Sequence, residues 1–182
     1  MAWSDVSDLE DYLHRTFTVE ENGMASIALA GAKVIIKTFC HQTLDETLAD
    51  SVVVEGNGRD VMVLREFPVT DVADVVIEDE TFDGTSADNV RVTTAGLLYR
   101  MDGGTWTAGV QNITVTYDHG YPDADEAWDA IKVVQLSVAG RLFEQGGVSG
   151  ENIGGYSVTY DSTGPDLTEG EECVLAAYRS KY

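Results

Sequence analysis

The chain has 182 residues, enough for one domain or one core with an elaborated insertion, and a chain of this size buries roughly 70% of its unfolded surface on folding. Hydrophobic residues make up 43% and charged residues 24%, which excludes wholesale disorder. The 32 Asp and Glu against 11 Lys and Arg leave a net charge of -21, which speaks against affinity for DNA or RNA phosphate and leaves a cationic partner, high-salt solubility or a non-adhesive wall for polyanions.

Met1-Ala2-Trp3-Ser4-Asp5 has neither a basic nor an apolar leader region, and no apolar run approaches the ~18 residues of a membrane span. The expectation is a cytosolic product without a membrane segment. Ser7 and Glu10 have capping-box spacing before Leu9, Tyr12 and Leu13, so a short first helix is predicted. Glu20-Glu21-Asn22-Gly23 reads as a polar break. Beyond it Met24, Ile27, Ala28, Ile35 and Phe39 recur with helical period to Cys40, predicting a second helix whose Gly31 admits another backbone.

From Ser51 the period changes to two. Val52–Glu55 and Val61–Leu64 read as a hairpin turned at Gly56-Asn57-Gly58. After Pro68, Val72–Glu78, Val90–Val92 and Leu97–Arg100 continue a meander that Ile113–Tyr117 closes. Then Asp118-His119-Gly120-Tyr121-Pro122 hands the chain to a long helix, with Asp123 and Glu126 as its cap and Ala124, Ala127, Trp128, Ile131, Val134, Val138 and Leu142 on one face. Gly146-Gly147 ends it, Gly150 to Gly155 forms a permissive loop, and Tyr156–Tyr160 alternates like a strand. Thr168 with Glu171 caps a last helix carrying Val174, Leu175, Tyr178 and Tyr182.

The predicted class is α+β: a helical core of three to four helices with an inserted antiparallel β-subdomain. Its expected divisions are N-terminal helices over 1–48, the β-subdomain over 49–120, the long helix over 121–146, the Gly-rich loop and strand over 147–165 and the C-terminal helix over 166–182.

No catalytic, cofactor-binding or metal-binding residues are assigned. His14, His41 and His119 lack metal-ligand spacing, and none adjoins a nucleophile motif. Cys40 and Cys173 form no Cys-x-x-Cys pair and are expected to be reduced and buried. Asp79-Glu80-Thr81-Phe82-Asp83-Gly84 resembles the opening of a calcium loop, but the twelfth position is Val90, so a solvated turn is the better reading. Gly56-Asn57-Gly58 lacks the third glycine of a phosphate cradle, and Gly146 to Gly155 lacks the lysine and hydroxyl of a nucleotide loop. Trp106, Tyr117, Tyr121 and Trp128 suit core packing better than a sugar-stacking face, and the late tyrosines suit an interface.

Taken in order, the segments resemble the head-tail connector, or adaptor, proteins of tailed bacteriophages. The likeness is carried by Val6-Ser7-Asp8-Leu9-Glu10-Asp11-Tyr12-Leu13, Phe67-Pro68-Val69-Thr70-Asp71-Val72, Val115-Thr116-Tyr117-Asp118-His119-Gly120-Tyr121 and Ile153-Gly154-Gly155-Tyr156-Ser157-Val158-Thr159-Tyr160. The resemblance implies no catalysis and a dodecameric ring in the virion neck, assembled from subunits in the host cytoplasm. That ring would sit between the portal protein and a stopper or tail-completion protein, with duplex DNA passing through unbound.

On this resemblance Leu175, Tyr178, Arg179 and Tyr182 are candidates for docking on the portal, and deleting the residues after Pro165 is expected to abolish that docking while sparing the fold. Gly150, Glu151, Asn152, Gly154, Gly155 and Tyr156 are candidates for a lumen or inter-subunit loop. Carboxylates facing the lumen would let DNA slide. The rivals are an acidic β-rich carbohydrate- or protein-binding module, which needs the aromatics exposed on a sheet face, and a halophile-type enzyme subunit, which needs a convergent polar site.

Overall fold

The computed structural model describes residues 3–77, 80–86, 88–145, 151–153, 156–158 and 166–180. The chain divides into two compact units, one of Met1–His41 with Ala124–Arg179 and one of Gln42–Asp123 with Ser180–Tyr182. The first is helical and the second is built on sheets, so the class is α+β.

In the helical unit α1 spans Val6–Leu13. Its capping box is Asp5 with Asp8, not Ser7 with Glu10: the Asp5 carboxylate accepts the Asp8 N–H and the Asp8 carboxylate accepts the Asp5 N–H. Glu10 instead accepts the Phe17 N–H beyond the helix. α2 spans Val19–Cys40, with Thr18 and Glu21 closing a capping box. The expected polar break is therefore its first turn, where Glu20 and Glu21 favour the positive end of the helix dipole.

The buried face of α2 is Ala25, Ala28, Leu29, Ala32, Ile36 and Cys40, which shares only Ala28 with the expected face. Ile27 is 75% exposed. The helix is apolar on both sides, so periodicity alone could not say which side faces inward, and the alanines allow close packing against its neighbours. Gly31 faces the Leu142 side chain, whose Cδ1 is 3.3 Å from where a Cβ would stand, and not another backbone. By length and composition α2 would pass as a membrane span, although one side of it packs within the unit.

α3, Ala127–Gln145, begins later than expected, and its first N–H is taken by Asp125 (2.8 Å) where Asp123 and Glu126 were expected to cap. Trp128, Ile131, Val134 and Val138 are buried as their spacing requires, joined by Ala139 and Phe143, while Ala124 is exposed ahead of the helix. Trp3 meets Trp128 edge-on at 5.1 Å. The buried Gln135 accepts the Ser4 N–H (2.8 Å) and donates to the Leu29 carbonyl (3.3 Å), which ties the N-terminal segment and α2 to α3.

The sheet unit runs β1 Thr47–Gly56, β2 Val61–Val63, β3 Val69–Ile77, β4 Glu80–Asp83, β5 Val90–Val92, β6 Leu97–Arg100 and β7 Gly109–His119. These make one antiparallel sheet in the order β1-β7-β3-β4 and a second in the order β2-β6-β5. Val72, Val75, Leu98, Trp106, Ile113, Val115 and Tyr117 lie in one buried cluster.

Three expectations change here. β1 and β2 are not a hairpin: β1 pairs with β7 and β2 with β6. Between them the Gly58 N–H donates to the Trp106 carbonyl (2.7 Å), and a Cβ on Gly56 would overlap the Thr107 carbonyl oxygen, so these glycines serve a crossing between sheets. β7 is central and not a closing strand. The acidic run is not a solvated turn throughout, since Glu80–Asp83 forms a strand of its own, antiparallel to Asp74–Ile77.

Candidate functional site

The strand end that precedes α3 is fixed by backbone geometry. Gly120 adopts φ 90°, its N–H donates to the Pro68 carbonyl (3.0 Å), and a Cβ there would stand 2.3 Å from the Asp45 carbonyl oxygen. Its neighbour Tyr121 donates to the Leu44 carbonyl at 3.0 Å. The carboxylate of Asp118 accepts the N–H of Ala49 (2.7 Å), where β1 and β7 slip register and Ala49 takes φ 51°. Asp118 thus serves backbone geometry.

His119 is 2% exposed, with Nε2 3.1 Å from Asp50 Oδ2 and Nδ1 buried without a hydrogen-bond partner among the described residues. Beside it Tyr117 is fully packed; burial first, then the negative charge of Glu66, pushes its hydroxyl up to about 12. An open cleft of about 620 Å³ lies over Val52, Val54, Met62 and Tyr117, edged by Asp50, Glu55 and Glu66. Its lining combines apolar side chains with three carboxylates and the guanidinium of Arg65. Among the described residues no group of three or more His, Cys, Asp or Glu is placed to hold a metal.

The C-terminal segment is assembled around an ion pair. α4, Glu169–Leu175, carries the Thr168–Glu171 capping box read from the sequence and continues into a 3-10 turn, Ala176–Tyr178. Arg141 of α3 donates through Nη1 and Nη2 to the two carboxylate oxygens of Glu171, each at 2.8 Å, and Nη1 also reaches Ser137 Oγ at 3.0 Å. Burial works to raise the Glu171 pKa, but the Arg141 hydrogen bonds, the Thr168 N–H and Ser137 outweigh it and hold it at about 2.

Among the expected portal-docking residues, Leu175 is fully buried, Tyr178 is half-buried and Arg179 is exposed, while Tyr182 lies outside the described residues. Arg179 sits over the Phe39 ring at 5.2 Å, with its guanidinium 3.3 Å from His41 Nε2. Leu175 therefore holds α4 in place. For the same reason deleting everything after Pro165 would not spare the fold, because it strips Arg141 of its carboxylate and opens a cavity at Leu175.

In the Gly-rich segment Glu151, Asn152 and Tyr156 fall on a two-stranded antiparallel pair, β8 Glu151–Ile153 with β9 Tyr156–Val158. Gly150, Gly154 and Gly155 lie outside the described residues. Glu151, Asn152 and Ile153 are therefore strand where a loop was expected, and the adjacent Gly154-Gly155 in the sequence is the signal that could have suggested the pairing. Cys40 is buried, with its thiol pushed up to about 11 by burial, whereas Cys173 is exposed, contrary to expectation, because it lies on the outer side of a single short helix. The binding-module reading fails on burial: Trp106, Tyr117 and Trp128 are at most 2% exposed and offer no stacking face.

A helical unit interrupted by an antiparallel sheet unit, its polar side chains spent on holding segments together, defines a structural α+β protein. The family model described as head completion protein matches residues 4–180, and the chain belongs to that family. Its role is that of a structural head-tail connector. No curated protein matches the sequence. The fold is similar to a chain in the neck of an empty GTA particle computed with C6 symmetry, at 13% identity and TM-score 0.57, covering 97% of this chain and 89% of that one. It is likewise similar to a chain in the neck of a native GTA particle computed with C12 symmetry, at 12% identity and TM-score 0.52, covering 97% and 88%.

Proposed function

We propose that this connector acts as a closed ring in the neck, twelve copies around a channel, seated between the portal protein and a stopper or tail-completion protein. The observation that carries the reading is the match of almost the whole chain to the head completion family. Similarity to neck structures computed with twelve-fold and six-fold symmetry supports the ring. The net charge of -21 suits a channel wall that duplex DNA crosses without sticking, and a share of the carboxylates faces that lumen. Subunits wait in the host cytoplasm and join the particle at the neck. No chemistry is needed for this role.

Tyr178, Arg179 and Tyr182 are the portal-facing candidates, with Leu175 as the anchor that keeps them in place. The segment from Gly150 through Glu151, Asn152, Gly154 and Gly155 to Tyr156 lines the lumen or meets a neighbouring subunit. Cryo-electron microscopy of particles carrying the full chain tests the whole reading. A twelve-copy ring with an acidic bore is the expected result; a neutral or basic bore, or absence of the chain from the neck, overturns it. In the same particles Arg179→Glu is expected to weaken portal attachment without unfolding the chain, because its side chain is exposed.

A further inference from the structure

α2 has two apolar sides, and among the described residues only one of them is covered. Opposite the buried alanines, Val19 is 89% exposed, Ile27 75%, Val34 63% and Met24 47%. At 100° per residue Ile27 and Val34 lie almost in line, with Gly23 and Ala30 beside that line and Val19 and Met24 further out to either side. The strip opens at its C-terminal end onto a groove of about 450 Å³ whose lining includes Val34, Ile35, Phe39 and Leu167 together with Asp166 and Glu172. Continuous exposed apolar surface of this kind marks an interaction site.

Charge identifies the occupant. From Asn22 through Leu44 there is no Asp or Glu, although the chain has 32 of them, and the formal charges in that stretch are those of Lys33 and Lys37. Two molecules each carrying -21 repel over most of their surfaces, and the central part of the strip around Ile27 and Val34, whose own stretch of helix carries two lysines and no acid, is where a second molecule can come close at least cost. A closed ring needs heterologous contacts, in which one face of each subunit fits a different face of the next.

We propose that the outer strip of α2, centred on Ile27 and Val34, is one half of the subunit–subunit interface, and that its occupant is a different surface of a second copy of this chain. The inference rests on the ring reading above.

The test is a photo-crosslinking residue placed at Ile27 or Val34 of the full chain, irradiated in assembled particles, with the same residue at exposed Asp129 as a control. The expected result is a ladder of multiples of the 19.7 kDa chain from the two strip positions and none from Asp129, with the crosslinked peptides mapping outside residues 19–40. Chain present in the particles but crosslinked to another protein, to lipid or to nothing overturns the inference while the ring reading stands. Crosslinks only between two α2 strips overturn it as well, because a self-paired contact does not close a ring. Absence of the chain from the particles overturns both. As a second readout, Ile27→Glu with Val34→Glu should leave the circular dichroism spectrum unchanged, since both residues are exposed, and lower incorporation into particles at least tenfold; unchanged incorporation also overturns the inference.

Discussion

Arg141 and Glu171 lie thirty residues apart, yet this pair decides whether the C-terminal segment stays in place. Two charge-assisted hydrogen bonds at 2.8 Å in a site that is 11% exposed on the carboxylate side outweigh the penalty of burying it, which is why Glu171 ionises at about 2 instead of near 4.5. A carboxylate whose folded value is depressed contributes stability that is fully present above its unfolded value and lost as pH falls through the folded one. Glu171→Gln should therefore cost about 2 kcal/mol at pH 7, measured by urea unfolding. The gap between the natural chain and the variant should hold down to about pH 4.5, narrow below it and close near pH 2. A gap that does not change with pH would mean that the ion pair does not hold α4.

At the scale of elements, the junction of β7 with α3 depends on a glycine that no periodicity could have ranked above the others. Gly120 has both a left-handed φ and a backbone oxygen in the way of any Cβ, whereas Gly103 has φ 81° with open space around it. Gly103→Ala should then cost about 1 kcal/mol, the conformational penalty alone, and Gly120→Ala about 2 to 4 kcal/mol, with thermal unfolding as the readout. Equal losses at the two positions would show that Asp45 yields without cost.

The same contrast explains what could be read from the sequence. The capping box at Thr168, the buried stripe of α3 and the alternation of β3 and β7 are local signals, and they were legible. The partner of β1 is β7, where Asp50 pairs with Tyr117 across more than sixty residues, and local patterning cannot rank so distant a strand against an adjacent one. The inner face of α2 was hidden for another reason: when both sides are apolar, the period is present but its phase is not informative. Of the candidate site, the cap of α4 was visible, while the guanidinium that meets it was not, because ion pairing between helices leaves no spacing rule in the chain.

For the whole molecule the surplus of carboxylates sets how copies meet one another and how they meet DNA, and salt screens both repulsions. A protein that binds duplex through lysine and arginine releases counterions, so its affinity falls as salt rises. Copies that each carry -21 repel, and screening with a length of about 8 Å at physiological ionic strength lowers that repulsion, so their association should strengthen with salt while the apolar α2 strip supplies attraction that salt does not weaken. Native mass spectrometry after equilibration from low to high ionic strength should show the oligomeric fraction rising several-fold, and a mobility-shift titration with duplex DNA should show no complex even at low salt. Oligomers that dissociate as salt is raised would mean that opposite charges, and not apolar surface, hold the subunits together. A DNA complex at low salt that salt disperses would mean that the few basic residues are gathered into a patch facing the duplex, and the acidic channel wall would have to be abandoned.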